Sequence, residues 1–356
     1  MRVNRTALSA ALRDLVRVAP SKPHIPILAN VRLHAANGAL EITTTDVDTF
    51  LTASLPCEGD IDICLPAKTL AAIAKPEGKP VAADVVDIEP VSETTVSVAV
   101  DGLSTRLAAL PPDDFPVPPP IDDISLVAVW PSSELAHALS YVLPAVCGDL
   151  TRPHLNGVCL RDNLAATTDG HRLHAAPLPS AVAEPIFLTT PAAMALERAL
   201  AGSDHVVLAR RENVLCVRCG NWTLTTHLKS DIFPPVDQVV PALISMPTRI
   251  EVEPKVLAKA LGRVARVSSS RMVKMTVNGV VTLSTSDVDL GDAETVVPVI
   301  SNSHTGEDLI TGYNAAYLTD AITNSAKVTL SMGRCLDPLR VDSDGGRIAI
   351  VMPVRV

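Results

Sequence analysis

Aromatic residues are scarce: 2 Trp, 3 Tyr and 4 Phe make up 3% of the chain, so its cores must be filled by many small aliphatic side chains, which raise the hydrophobic share to 47%. Glycine is sparse as well, at 17 residues, which leaves little room for a phosphate-cradling glycine-rich loop. No apolar run approaches the ~18 to 20 residues that cross a bilayer, and charges punctuate every segment, so no membrane span is expected. The opening stretch MRVNRTALSAALRDLVRVAP carries early positive charge, but Arg13 and Asp14 cut its apolar run too short for a signal peptide. It reads as an amphipathic helix. The 7 cysteines lack the spacing of a disulfide framework and point to free thiols in a reducing compartment, the cytoplasm being the simplest address. Positive charge is in deficit too: 30 Lys and Arg face 39 Asp and Glu, a net charge of −9, which argues against a protein that coats itself in nucleic acid.

What the chain does have is length and a long-period repeat. Its 356 residues exceed one ordinary core and fit two or three domains. Helical patterns open three successive parts: RTALSAALRDLVRVAP from Arg5, SSELAHALSYVLPAV from Ser132 and EPKVLAKALGRVARV from Glu253. Each is followed by strand-like alternation and an Asp-containing turn, at Asp46, Asp169 and Asp287, spaced 123 and 118 residues apart. A second helix follows near Leu70, Met194 and Tyr317, at spacings of 124 and 123. Pro191 and Pro254 stand where a helix start tolerates a missing donor. Proline clusters at 111–120 and 231–241 break the chain, with Phe115 and Phe233 in matching places. Runs such as VRLHAANGALEITTTDVD and NVLCVRCGNWTLTTHL read as antiparallel hairpins. The expectation is an α+β chain of three similar domains, 1–121, 122–246 and 247–356, each with two helices and a meandering sheet.

Catalytic and metal motifs are weak. Cys216 and Cys219 form a CxxC, but strand alternation would send the thiols to opposite faces, and no second pair completes a zinc site; half-buried thiols on a hairpin are the reading. His171 and His174 in HRLH fail as metal ligands for the same reason. Asp169 and His171 could be imagined as an acid and base of a cryptic hydrolase, yet GxSxG and HExxH are both absent. No catalytic residue, metal or cofactor is expected.

The cations say more. Lys255, Lys259, Arg263 and Arg266 recur at spacings of four, four and three, which places them on one helical stripe. Arg13 and Arg17 repeat this on the first helix, and Lys68 and Lys75 on the second. An acidic chain with cations gathered on helices can contact phosphates without reading bases. A solvated helix face is the plain alternative for any single stripe.

Several strings, in order along almost the whole chain, resemble the bacterial DNA polymerase III beta subunit, the sliding clamp: KPHIPILANVRL from Lys22, ALPPDDFP from Ala109, TRPHLNGVCL from Thr151, AATTDGHRLHAAPLP from Ala165 and VMPVRV from Val351. The resemblance implies a head-to-tail homodimer whose six domains close a ring around duplex DNA, independent of base sequence. It implies DNA contact at Lys22 and Arg152, to which stripe and position add Arg13, Arg17, Lys68, Lys75, Arg198, Lys255, Lys259 and Arg263. It also implies an apolar groove for short peptides of the replicative polymerase, the clamp loader ATPase or repair factors. The matching positions are Leu155, Thr168, Gly170, His171, Arg172, Leu173, Pro234, Val239, Ile350, Met352, Pro353, Val354 and Arg355. The protomer seam is implied at Thr105, Leu107, Arg266 and Val267.

Departures from the family pattern suggest altered clients. Gln238 stands where some clamps have a basic residue, Val354 to Val356 replace a longer Met and Leu ending, and Pro153 with His154 replace an aromatic pair. Arg266 and Thr105 put polar groups at the seam, where a charge needs a partner to offset its desolvation. The runner-up reading is a divergent extra clamp or decoy.

Overall fold

The computed structural model describes residues 1–20, 23–76 and 84–355. Lys22 lies outside the described residues. Two compact units emerge: Met1–Ala136 with Pro191–Lys229, and His137–Thr190 with Ser230–Val356.

Among the described residues, six α-helices, each entered directly or within two residues from a strand, give the chain its repeated order. They are α1 (Arg5–Leu15), α2 (Ala67–Ala74), α3 (Ser132–Val142), α4 (Thr190–Ala199), α5 (Pro254–Val264) and α6 (Ala315–Ile322). Their starts and faces follow from local chemistry. The Asn4 side chain accepts a hydrogen bond from Ala7 N at 3.0 Å, and Asn314 does the same for Ala316 N at 2.9 Å. Pro254 opens α5, where its missing N–H costs nothing; Pro191 stands second in α4. Leu8, Ala11, Leu12 and Leu15 recur at helical spacing and are all buried. Leu257, Leu261 and Val264 do the same on α5.

The first unit is built on an antiparallel sheet of 12 strands among the described residues, with Leu103–Ala108 at one end of its main path and Ser125–Pro131 at the other. Both hairpins expected from alternation are present, Asn30–Ala36 with Ala39–Thr45 and Val214–Cys219 with Trp222–His227. One point is corrected: Cys216 and Cys219 are both fully buried, because both faces of strand Val214–Cys219 are covered. All 7 cysteines are free. Phe115 packs with Ile27, Leu28 and Cys64. Arg5, which sequence patterning left unmarked, is buried: its guanidinium donates to the carbonyls of Ala74 and Lys75 at the end of α2 and pairs with Asp84.

The second unit holds two antiparallel sheets. The larger runs Val158–Thr168, Arg172–Leu188, Arg347–Val351, Leu339–Ser343, Val328–Met332, Thr248–Val252, Ser301–Asn302; the smaller runs Gly291–Val297, Val281–Asp287, Met272–Val277, Leu309–Asn314. Phe233 meets Phe187 edge to face at 5.7 Å, within a core shared with Leu173 and Ile350. Gly157 explains the LNGV string, since a Cβ there would lie 2.2 Å from the Leu188 carbonyl oxygen.

The three repeated aspartates do one job. Each accepts through Oδ1 from the amide three residues ahead: Thr49 N at 2.7 Å for Asp46, Arg172 N at 3.0 Å for Asp169 and Leu290 N at 3.2 Å for Asp287. Their settings differ. Burial pushes the Asp46 carboxyl up, whereas hydrogen bonds from Ser269 hold Asp287 down at about 2.

Candidate functional site

The cations of the first unit lie around the ends of its helices. Arg13 is exposed on the last turn of α1 and pairs with Asp14 at 3.4 Å. Helix α1 stops at Leu15, so Arg17 does not continue a helical stripe as expected; it is exposed in the turn that follows. Lys68 is exposed in the first turn of α2, and Lys75 is its extended C-cap. Arg198 is half-buried in the last turn of α4.

In the second unit, α5 presents Lys255, Lys259 and Arg263 on its exposed side, with no ion-pair partner among the described residues. Arg266 departs from the expected stripe, because α5 ends at Val264 and Arg266 sits in the short turn Ala265–Val267. Three cations at four-residue spacing form a comb opposite a face of buried aliphatics. Of the seam positions, Thr105 and Leu107 lie on the end strand Leu103–Ala108, and Arg266 and Val267 in that turn.

Of the implied groove residues, Thr168, Gly170, His171, Arg172 and Met352 are linked around the Asp169 turn by hydrogen bonds. Gly170 has φ of 90°, a conformation that suits glycine, and its N–H donates to Thr168 Oγ1. Thr168 Oγ1 in turn donates to the Arg172 carbonyl at 2.6 Å. His171 is exposed in the turn and not on a strand, while its carbonyl accepts from Met352 N at 2.9 Å. Leu173 stands opposite Ile350 in the strand pairing. The tail then crosses to the smaller sheet, where Val354 exchanges hydrogen bonds with Gly312 at 2.8 and 3.2 Å. Val239, Met352 and Val354 are each about two-fifths exposed, a supply of uncovered aliphatic surface near a buried floor. Pro234 lines a cleft with about 370 Å³ of open space beside Phe233, Cys159 and Val236. Leu155 is buried in the short helix Pro153–Leu155; Pro353 is half-buried and Arg355 exposed.

Arg172 does internal work. Its guanidinium donates to Asp169 at 3.0 Å, to Asp320 and to the Pro144 carbonyl, and lies over the Tyr317 ring. Arg152 donates to Asp149 at 3.1 Å and to the Asp169 carbonyl at 3.0 Å. No group of three or more His, Cys, Asp or Glu among the described residues could hold a metal, and no helix there is long and apolar enough to cross a membrane.

Two family models match: DNA polymerase III beta subunit, N-terminal domain, over residues 1–119, and its C-terminal domain over 238–354. The chain belongs to the DNA polymerase III beta subunit family. The beta sliding clamp of Caulobacter vibrioides is 29% identical, over 99% of each chain. That of Synechococcus elongatus is 28% identical, over 98% of this chain and 97% of its own. Among solved structures, a sliding clamp of Bartonella birtlesii bound to griselimycin superposes with a TM-score of 0.88 at 24% identity, covering 100% of both chains. The Caulobacter crescentus clamp does so at 0.85 and 26%, over 100% of this chain and 99% of its own.

Within this beta-subunit fold, four groups that shape the site escaped sequence reasoning. Asp149, Tyr141, Tyr317 and Asp320 all touch the Asp169 turn or its supports. Asp320 is 148 residues from Arg172, so no local spacing could have revealed the pair. His174 is also part of this support: it is buried, stacks on Tyr141 at 5.1 Å and has its Nδ1 2.8 Å from the Tyr141 carbonyl. Burial holds its pKa down at about 4.

Proposed function

We propose that this chain is a DNA sliding clamp that encircles duplex DNA and tethers the replicative polymerase and other DNA-processing proteins. The observation that carries the reading is the exposed comb of Lys255, Lys259 and Arg263 on α5, on a chain of net charge −9 that belongs to the beta-subunit family. Cations on selected helices meet phosphates, while the acidic remainder discourages binding elsewhere. Arg13, Arg17, Lys68, Lys75, Arg152 and Arg198 join them, with Lys22 assigned from sequence alone. The clamp works without catalysis, cofactor or metal, and in the cytoplasm. Full-length matches to clamps leave the decoy reading without support.

The domain limits we propose are 1–121, 122–246 and 247–356, in keeping with two strand-to-helix steps in each third. Two copies close head to tail. The end strand Leu103–Ala108 of one sheet and the end strand Gly291–Val297 of another offer unpaired backbone for the seam, beside Thr105, Leu107, Arg266 and Val267. Polymerase, clamp loader and repair factors compete for the groove of Leu155, Thr168, Gly170 to Leu173, Pro234, Val239, Ile350 and Met352 to Arg355.

A clamp loader and nicked circular DNA test the reading. The chain should stay on circles and leave once they are linearised; equal retention on both forms overturns it. A short clamp-binding peptide of a replicative polymerase tests the groove. Binding that persists unchanged after truncation before Met352, in a chain that still folds, rejects the pocket.

A further inference from the structure

We infer that Arg152 couples DNA contact to the peptide groove, by holding the Asp169 turn with one edge of its guanidinium and offering the other to phosphate. The inference rests on the clamp reading and adds a positioning role and a form of regulation to it. Arg152 Nη1 donates to the Asp169 carbonyl at 3.0 Å, and its Nε to Asp149 Oδ2 at 3.1 Å. A guanidinium has five N–H donors in a rigid fork. Two are engaged here, and the side chain remains 39% exposed. Nη2 makes no hydrogen bond to the described residues, so a phosphate can be added without displacing the turn.

The held turn reaches the groove in two steps. Asp169 Oδ1 accepts from His171 N at 2.9 Å and Arg172 N at 3.0 Å, which sets the direction of the His171 carbonyl. That carbonyl accepts from Met352 N at 2.9 Å, tying down the start of the exposed tail. The guanidinium also sits close over Gly170, where a Cβ would lie 3.1 Å from Arg152 Nη1. Asp149 keeps the loop in place, accepting from Thr151 N at 2.9 Å and Thr151 Oγ1 at 2.7 Å, and these bonds hold its carboxyl below the usual range. A phosphate on the free edge of Arg152 restricts the guanidinium, and with it the turn. The groove is thereby ordered before a peptide arrives, so DNA and peptide favour each other, and reciprocally.

Amide hydrogen exchange on the full chain, with and without a blunt 20-base-pair duplex at low salt, tests the coupling. The amides of His171, Arg172 and Met352 should exchange roughly 5-fold more slowly with duplex, in line with ordinary coupling strengths. Arg152→Lys keeps a cation for phosphate but cannot span both acceptors; with duplex concentration raised until α5 is protected as in the unaltered chain, it should lose the change at these three amides. Arg152→Ala, which also removes one proposed phosphate contact, should lose the change at these three amides under the same α5-matched condition. Protection of α5 with no change at the turn in the unaltered chain overturns the coupling and leaves the clamp reading standing. An equal response in Arg152→Ala also overturns it. Absence of protection at both α5 and the turn overturns the DNA reading and the coupling together.

Discussion

The Arg172 guanidinium lies 4.3 Å from the centre of the Tyr317 ring and pairs on its other sides with Asp169 and Asp320. One side chain from the strand Arg172–Leu188 thus grips helix α6, the Asp169 turn and the short turn Leu143–Ala145 that follows α3. Only 10% of that side chain is exposed, so its bonds are worth more than a surface ion pair.

Arg172→Ala should therefore cost about 3 kcal/mol of stability, the low end of the range for breaking a buried pair because Asp320 remains partly solvated. Arg172→Lys should recover less than half, since an ammonium cannot serve three acceptors in a fixed fork. Urea unfolding followed by circular dichroism reads both. An Arg172→Ala midpoint equal to that of the unaltered chain would remove this role.

Gly157→Ala places a methyl 2.2 Å from the Leu188 carbonyl oxygen. Backbone cannot rotate away as a side-chain tip can, so the strand pair Val158–Thr168 and Arg172–Leu188 must shift at its start. A loss of about 3 kcal/mol is expected, at the upper end for overpacking, measured by the same denaturation.

His174 gives stability a pH dependence. Its folded pKa of about 4 lies below the ordinary 6.5, so the unfolded chain binds more protons between these values. The stabilisation is complete above pH 6.5 and is lost as pH falls toward 4, by roughly 3 kcal/mol for a shift of this size. His174→Gln should flatten this part of the stability curve, whatever it does at pH 8. A thermal-melting series from pH 8 to pH 4 makes the comparison.

The α5 comb predicts a salt signature. Replacing Lys255, Lys259 and Arg263 with Gln should lower duplex affinity at all base sequences alike. The slope of log affinity against log salt should fall by about 2 to 3, near 0.9 for each lost phosphate contact. Fluorescence anisotropy across a salt series measures it; an unchanged slope would mean that these cations face only water.

Periodicity found all six helices because each buries an aliphatic stripe whose spacing is local. It overextended three of them: Arg17 and Arg266 keep helical spacing in sequence and the third pattern runs on to Val146, but α1 ends at Leu15, α3 at Val142 and α5 at Val264. Spacing alone does not register where the last amides find carbonyls. The turn aspartates were legible for a similar reason, as the Oδ1 bond to the third amide ahead is made within four residues. Cys216 and Cys219 were legible only as a pair on a strand; that both faces of the strand are buried depends on what packs there.

By itself, then, the sequence determined the repeated order of helices and hairpins, the Asx turns, the basic comb of α5 and the family resemblance. All of these are written in short-range spacing or in strings that stand in line. Tertiary structure decided which side chains meet. It brought Asp320 to Arg172, Met352 to His171 and the Asp169 carbonyl to Arg152, and it buried Arg5 and His174. Those contacts join residues far apart in the chain, and their partners are selected by strand register and side-chain packing, which no local pattern records.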